Sequence, residues 1–171
     1  MSAIMHNPLL GRSAPAVTPV RMGGSTGHVG EFGPTRLNPD GSPHIHKGLD
    51  LLAMPAWPVF ATHDGIVTVS GWENERDAAQ GYGQRIKVES GGRMLRTVYA
   101  HLSVLLARVG SRVSSGTVLG LTGRTGNVGT DPSIPTHLHF EVHRGDGTGD
   151  LWIPIDPAGW LMGQEPEISV A

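Results

Sequence analysis

The segment from His137 to His143 constrains the fold more than any other, because polar and apolar side chains alternate along it. Successive side chains of a β-strand point to opposite faces of its sheet. One face then carries three apolar residues that we assign to a hydrophobic core: Leu138, Phe140 and Val142. The other face carries four polar residues: His137, His139, Glu141 and His143. The segment therefore predicts a strand with the core on one side and a candidate functional surface on the other.

The composition favours further short strands. The 171 residues include 25 Gly and 13 Pro, and aromatic residues make up only 5%. Such a mixture is typical of many turns and short strands rather than long helices. We predict strands at residues 59–61, 65–71, 83–89, 94–101 and 118–121, and a short helical turn at 102–107. The predicted fold class is all-β or mostly β, built as a compact and largely antiparallel sheet.

The chain is predicted to form one folded domain over residues 29–162, which is long enough to bury its own core. Residues 1–28 are rich in Pro and Gly and are predicted to form an N-terminal arm, and residues 163–171 a C-terminal tail. The Gly- and Pro-rich stretch 123–135 reads as a long loop. Loops of this length in a compact domain are usually functional.

Charge and hydropathy exclude several classes of partner. The formal net charge is −2 and the 13 Lys and Arg residues are scattered, so we expect no nucleic-acid partner. No stretch approaches the roughly 18 apolar residues of a membrane span. The first residues, Met1 to Leu10, lack the pattern of a secretory signal. Because the chain has no Cys, any metal must be bound by His and carboxylate side chains.

Two motifs together supply a candidate set of zinc ligands. His46 and Asp50 lie four residues apart, and His139 lies on the polar face of the predicted strand. Catalytic zinc usually has three protein ligands and one open position. Two neutral imidazoles and one carboxylate would leave a bound zinc ion with one net positive charge, which lowers the pKa of its water from about 15.7 toward 7. We therefore predict Zn²⁺ as the cofactor.

Two further histidines are candidates for the general base and for the partner of the developing oxyanion. His137 neighbours His139 on the predicted strand. His101 ends the predicted strand at 94–101, where alternation would place it on the same face as Tyr99. The pattern does not decide which histidine has which role.

The remaining polar residues leave alternatives open. His44 is one residue from His46 and could compete with it as a ligand. Glu141 shares the face of the strand and could accept a hydrogen bond from a ligand imidazole. His63 and His143 lie in no motif, and we predict that both are surface residues.

Three motifs follow one another in the chain: His46-x-x-x-Asp50, Tyr99-Ala100-His101-Leu102 and His137-Leu138-His139-Phe140-Glu141-Val142. In this order they resemble the lysostaphin-like (LytM-type) zinc endopeptidases of peptidoglycan. Glycine-marked segments agree with that family as well, among them Gly81-Tyr82-Gly83 and the turns from Gly110 to Gly126. The resemblance covers roughly residues 29–160.

This resemblance implies that His46, Asp50 and His139 are zinc ligands and that His101 and His137 are the catalytic histidines. It implies an antiparallel β domain with a groove across the sheet, walled by the loops at 72–80 and 123–135. The substrate would be a peptide of bacterial peptidoglycan. The bond that is cut stays open between a glycyl-glycine bridge and a D-alanyl-diaminopimelate link.

The resemblance also sets the expected biology and the competing function. We expect a monomer that acts in the periplasm or cell wall after export or injection without a visible signal peptide. An immunity or inhibitor protein is a possible further partner. The alternative function is a non-catalytic module with the same fold that binds cell wall or regulates amidases. Such modules lack one or more of the five key residues, and this chain has all five.

Overall fold

Antiparallel strands dominate residues 5–10 and 30–161, which are the residues that the computed structural model describes. The strands, in chain order, are β1 (Gly33–Leu37), β2 (Pro43–His46), β3 (Leu49–Leu52), β4 (Pro58–Phe60), β5 (Gly65–Trp72), β6 (Gln84–Glu89), β7 (Leu95–Leu105), β8 (Arg112–Val113), β9 (Val118–Thr122), β10 (His137–Gly145) and β11 (Trp152–Ile155). Two short 3-10 helices occupy Gly91–Arg93 and Gly126–Thr130, and helix α1 spans Ala158–Leu161. The predicted fold class is confirmed.

Strand β10 is the centre of the main sheet. One of its edges pairs with β7. The other edge pairs first with β3, over His137–Phe140, and then with β11, over Val142–Gly145. From β7 the sheet continues through β6 and β5 to β8, while β9 pairs with both β7 and β4. Strands β1 and β2 form a separate hairpin.

The hydrophobic core lies on the face of β10 that the alternation predicted. Leu138, Phe140 and Val142 are each 0% exposed. The ring of Phe140 packs against Tyr99 of β7, with ring centroids 5.4 Å apart. Strands β3, β4, β6 and β9 contribute further buried aliphatic side chains: Leu49, Leu51, Val59, Ile86, Val88 and Leu119.

Strand β7 differs from its prediction in length. It continues to Leu105, so the helical turn expected at residues 102–107 is wrong. Leu102, Val104 and Leu105 pair with β9 instead. The local sequence could not indicate this outcome, because the partner strand lies more than ten residues further along the chain.

The predicted face of His101 is also wrong. Tyr99 points into the core, where its hydroxyl accepts a hydrogen bond from the backbone N–H of Thr62 at 3.0 Å. His101 has a φ of 60°, the left-handed region that residues other than glycine rarely adopt. Its backbone N–H donates to the carbonyl of Tyr82 at 2.9 Å, beside a register shift between β6 and β7. This irregularity turns the imidazole away from the core, to the polar face of β10.

Part of the predicted arm belongs to the described structure. Met5 and Leu9 are buried in the core cluster. The carbonyl of Pro8 accepts a hydrogen bond from the N–H of Phe60 in β4, at 2.8 Å. The predicted domain boundaries, 28/29 and 162/163, and the tail lie outside the described residues, so that division of the chain stays a prediction. Within residues 5–10 and 30–161, no helix is long and apolar enough to span a membrane.

Two neighbouring leucines of β3 give a test of this packing. Leu51 is 0% exposed and Leu52 is 61% exposed. We expect Leu51→Ala to lower the free energy of unfolding by about 2–5 kcal/mol, because it leaves a cavity in the core. The control Leu52→Ala should change it by less than about 0.5 kcal/mol. Urea denaturation followed by circular dichroism measures both, and equal losses would contradict the assigned faces of β3.

Candidate metal centre

Three side chains from three strands bring their donor atoms together. They are His46 at the end of β2, Asp50 in β3 and His139 in β10. Nε2 of His46 lies 3.0 Å from Nδ1 of His139 and 3.2 Å from Oδ1 of Asp50, and Nδ1 of His139 lies 2.9 Å from that oxygen. Two nitrogens and one oxygen within such a distance could hold a metal ion.

The pairing of β3 with β10 produces this convergence. Asp50 stands directly opposite His139 in the antiparallel ladder, so the two side chains lie on the same face. His46 reaches the same point because the chain turns through Gly48. A Cβ atom at position 48 would lie only 2.3 Å from the carbonyl oxygen of Phe140, so only glycine allows this approach.

Each of the two candidate ligand imidazoles is oriented by a contact of its second nitrogen. Nδ1 of His46 lies 2.7 Å from the carbonyl oxygen of Glu31, to which it can donate a hydrogen bond. Nε2 of His139 lies 2.9 Å from Oε1 of Glu141, as the shared face of the strand suggested. Such outer contacts fix the tautomer and raise the basicity of the nitrogen that faces the metal.

Glu141 is itself held on both oxygens. Its side chain is 2% exposed, and it accepts hydrogen bonds from the hydroxyl of Tyr82 at 2.5 Å and from Nε2 of His143 at 2.6 Å. Burial opposes its ionisation, but the hydrogen bonds from His139 and His143 outweigh burial and hold the pKa of Glu141 below its usual range. The carboxylate is therefore charged, and the tyrosine ring stacks on His139 at 5.1 Å.

The charges around His139 fit a metal ion. Burial alone would lower the pKa of His139, but Asp50 and Glu141 outweigh burial and raise it to about 9. Burial likewise opposes ionisation of Asp50, and the hydrogen bonds from His139 and His46 still hold the pKa of Asp50 well below its ordinary value. The site thus stabilises a positive charge between two carboxylates. A divalent cation that replaces the proton on His139 meets the same demand.

Two further histidines lie beside this group. His137 Nε2 is 3.7 Å from Oδ1 of Asp50, and the rings of His137 and His101 are 5.0 Å apart. Nδ1 of His101 lies 2.9 Å from the carbonyl oxygen of Thr125, and Nδ1 of His137 lies 3.0 Å from that of Pro135. Because a carbonyl only accepts, each Nδ1 must carry the proton, which leaves each Nε2 as an acceptor.

Both of these histidines are neutral at pH 7. Burial, together with the nearby charge of His139, lowers the pKa of His101 to about 3. Burial also lowers the pKa of His137, although the charge of Asp50 opposes that shift. A neutral imidazole with a free acceptor nitrogen can take a proton from a water molecule.

These five residues line one cavity of about 270 Å³. The loop predicted to wall the groove, residues 123–135, contributes Asn127, Val128 and Ile134. Arg124 shapes this loop by donating hydrogen bonds to the carbonyls of Val128, Asp131 and Ile134. The other predicted wall, residues 72–80, does not line the cavity. The nearest lining residue on its C-terminal side is Gly81. The opposite wall comes from β2, which the sequence analysis did not foresee.

Other polar residues are placed differently from their predictions. His44 lines the cavity but is not one of the three donors, and its Nδ1 lies 3.1 Å from Oδ1 of Asn38. His63 is 4% exposed, so its predicted surface position is wrong, and its Nε2 lies 3.0 Å from Oγ1 of Thr97. The side chain of His143 is only 13% exposed and lies against Glu141, so its predicted surface position is wrong as well. Tyr82 was missed as a site residue, although it stands between two glycines that mark a close approach.

Comparison with known families gives one clear match. The model of a family described as Peptidase family M23 matches residues 44–151. The fold is similar to that of a zinc-containing peptidase from Vibrio cholerae, at 26% identity and a TM-score of 0.65, over 92% of this chain and 40% of that one. It is similar to the catalytic domain of lysostaphin from Staphylococcus simulans, at 29% identity and a TM-score of 0.60, over 77% and 88%.

Two curated relatives carry different substrate names. A peptidoglycan DD-endopeptidase of Vibrio cholerae is 32% identical over 146 residues, which are 82% of this chain and 30% of the relative. A glycyl-glycine endopeptidase of Staphylococcus capitis is 34% identical over 110 residues, which are 64% of this chain and 27% of the relative. The chain thus spans less than a third of the length of these relatives.

The contact between Glu141 and His139 gives a test of the metal centre. We expect Glu141→Gln to raise the dissociation constant for zinc by about 10- to 100-fold, because the oriented and charged acceptor behind His139 is lost. The control Glu89→Gln removes a carboxylate that pairs with Arg96 instead. Competition with a chromogenic chelator measures both affinities. An unchanged affinity in a folded Glu141 variant would show that this carboxylate does not support the metal.

Proposed function

The chain belongs to peptidase family M23, and from this premise we propose that it is a zinc-dependent endopeptidase that hydrolyses peptide cross-links of bacterial peptidoglycan. One observation carries the proposal: three metal-binding donors and two neutral histidines meet in a single cavity. The names of the relatives support peptidoglycan as the substrate.

In this proposal His46, Asp50 and His139 hold the ion. Nitrogen and carboxylate donors without thiolates, in a set of three, suit zinc with an open coordination position. When bound, the ion supplies a Lewis acid that makes water more acidic and polarises a peptide carbonyl. The outer contacts of Glu31 and Glu141 keep both imidazoles in the required orientation.

His101 and His137 are proposed as the catalytic pair. The attacking water forms a bond to the carbonyl carbon, and its proton passes to Nε2 of one histidine. When the carbon–nitrogen bond breaks, that proton passes to the leaving amine. The other histidine is the proposed partner of the oxyanion that forms as the water attacks, a role in which its Nε2 first takes a proton from solvent and then donates it in a hydrogen bond. The carbonyls of Thr125 and Pro135 hold the two rings in position for these transfers.

The expected setting follows from the substrate. We propose that residues 29–162 are the metallopeptidase domain and that it acts in the periplasm or cell wall. A monomeric state and an immunity or inhibitor partner stay predictions. The competing function, a non-catalytic wall-binding module, is disfavoured because none of the five key residues is missing and all five line one cavity.

A digest of purified peptidoglycan tests the activity. We expect the zinc-loaded protein to release cross-linked fragments as shorter peptides, and a chelator to abolish the release, because the ligand set then holds no Lewis acid. Mass spectrometry of the products identifies the bond. Activity that returns on adding zinc controls for damage by the chelator. Intact walls of both cross-link chemistries, with zinc bound, would favour the wall-binding module.

Two substitutions separate the proposed roles. His101→Ala should keep zinc but lower turnover by about 10²- to 10⁴-fold, because a proton-transfer group is lost. Asp50→Ala should weaken zinc binding, because it removes one of three ligands. The control His6→Ala changes a histidine that contacts Ser115 outside the cavity. Zinc content and turnover of each variant are measured together, and full turnover in the His101 variant would overturn its role.

A further inference from the structure

The groove carries one ammonium group whose charge no described residue balances. Lys47 is exposed and lines the same cavity as the three donor residues. Among residues 5–10 and 30–161 its side chain forms no ion pair or hydrogen bond. The Arg residues with the clearest contacts are used within the fold, as Arg85 pairs with Glu73, Arg96 with Glu89, and Arg124 binds loop carbonyls. Lys47 therefore differs from them in having a charge available to a ligand.

The backbone on either side of Lys47 fixes the point from which its side chain extends. Lys47 follows the ligand His46 directly, so their Cα atoms are about 3.8 Å apart. On its other side Gly48 packs against the carbonyl oxygen of Phe140. The flexible four-carbon stem of lysine then starts beside the metal centre and carries a strongly hydrated point charge. A group bound next to the reacting peptide lies within its reach.

The local charges make the cavity positive. A divalent ion would bring two positive charges, and two carboxylates lie at the donor set to offset them: Asp50 and the buried Glu141. After this offset, the positive charge of Lys47 is left unbalanced at the cavity, although the formal net charge of the whole chain is −2. Such a local excess attracts an anionic group of a ligand.

The rest of the lining suits a small peptide. Asn127 on the facing wall is exposed, and its side-chain amide has no hydrogen-bond partner among the described residues. Ile45, Val128 and Ile134 supply apolar walls. Together with Lys47 they form a site for a backbone amide, a short aliphatic side chain and a carboxylate.

We propose that Lys47 binds a free carboxylate next to the scissile amide and thereby selects acidic stem-peptide cross-links over glycine bridges. This inference rests on the proposed peptidase function and adds its substrate class. A D-alanyl-diaminopimelate link carries a carboxylate on the carbon that bears the scissile nitrogen, and a methyl group on the acyl side. A glycine bridge offers neither group, and the two curated relatives, which bear one name of each kind, leave the choice open.

Three soluble peptides test this selection on the zinc-loaded full chain. One contains the D-alanyl-diaminopimelate link with its free carboxylate, one has that carboxylate converted to a carboxamide, and one is pentaglycine. We expect kcat/KM to be about tenfold or more higher for the free carboxylate than for the carboxamide, as for loss of a charged hydrogen bond. This preference should weaken as salt rises.

Variants then assign the preference to Lys47. Lys47→Gln should remove the difference between carboxylate and carboxamide, and its salt dependence, without changing zinc affinity. Lys47→Arg should keep most of the difference. The control Arg112→Gln removes an exposed positive charge on β8 and should leave the preference unchanged. A preference that survives in Lys47→Gln, or faster cleavage of pentaglycine than of the acidic link, would overturn the inference.

Binding measurements keep this test separate from the test of activity. Affinity of the carboxylate and carboxamide peptides is measured by calorimetry with the zinc-loaded His101→Ala variant. If no peptide is hydrolysed by the unaltered chain, the peptidase proposal fails. The carboxylate site then stands if the His101→Ala variant prefers the carboxylate peptide and adding Lys47→Gln abolishes that preference. The site is overturned if the His101→Ala variant binds the two peptides equally.

Discussion

The antiparallel pairing of β3 with β10 is the constraint on which the site depends. It places Asp50 opposite His139, and a slip of one residue in either strand would turn that strand's donor residue toward the core. Burial of Leu51 and Leu138 on the other face opposes that slip, because it would expose them to water. The hydrophobic core thus sets the distance between two of the candidate donors, although both donors lie on the opposite face of the strands.

A second layer of contacts depends on Tyr82. Its hydroxyl donates to Glu141, its ring stacks on His139, and its carbonyl accepts the backbone N–H of His101. Burial and the charge of Glu141 raise the pKa of Tyr82, so the hydroxyl keeps its proton and remains a donor. One residue therefore connects the support of the ligand His139 with the unusual backbone of His101.

The sequence predicted the parts of the site that follow from periodicity. Alternation along β10 correctly predicted the core face and the placement of His139 and Glu141 together on the opposite face, because a regular strand has a period of two. It failed at His101, where a left-handed residue reverses the face, since that conformation is accompanied by a hydrogen bond to Tyr82 in the turn before β6. The extension of β7 and the wall formed by β2 likewise depend on pairing partners that no local window contains.

The conformation of His101 also bears on how the groove can select substrates. A non-glycine residue with positive φ carries backbone strain, which persists only where surrounding contacts over-determine it. Here the backbone N–H and Nδ1 are both bonded, to the carbonyls of Tyr82 and Thr125. His101 is thus held at two points, whereas the walls of the cavity that carry exposed side chains are free to adapt to a ligand. Lys47 and Asn127 are two exposed residues of these walls.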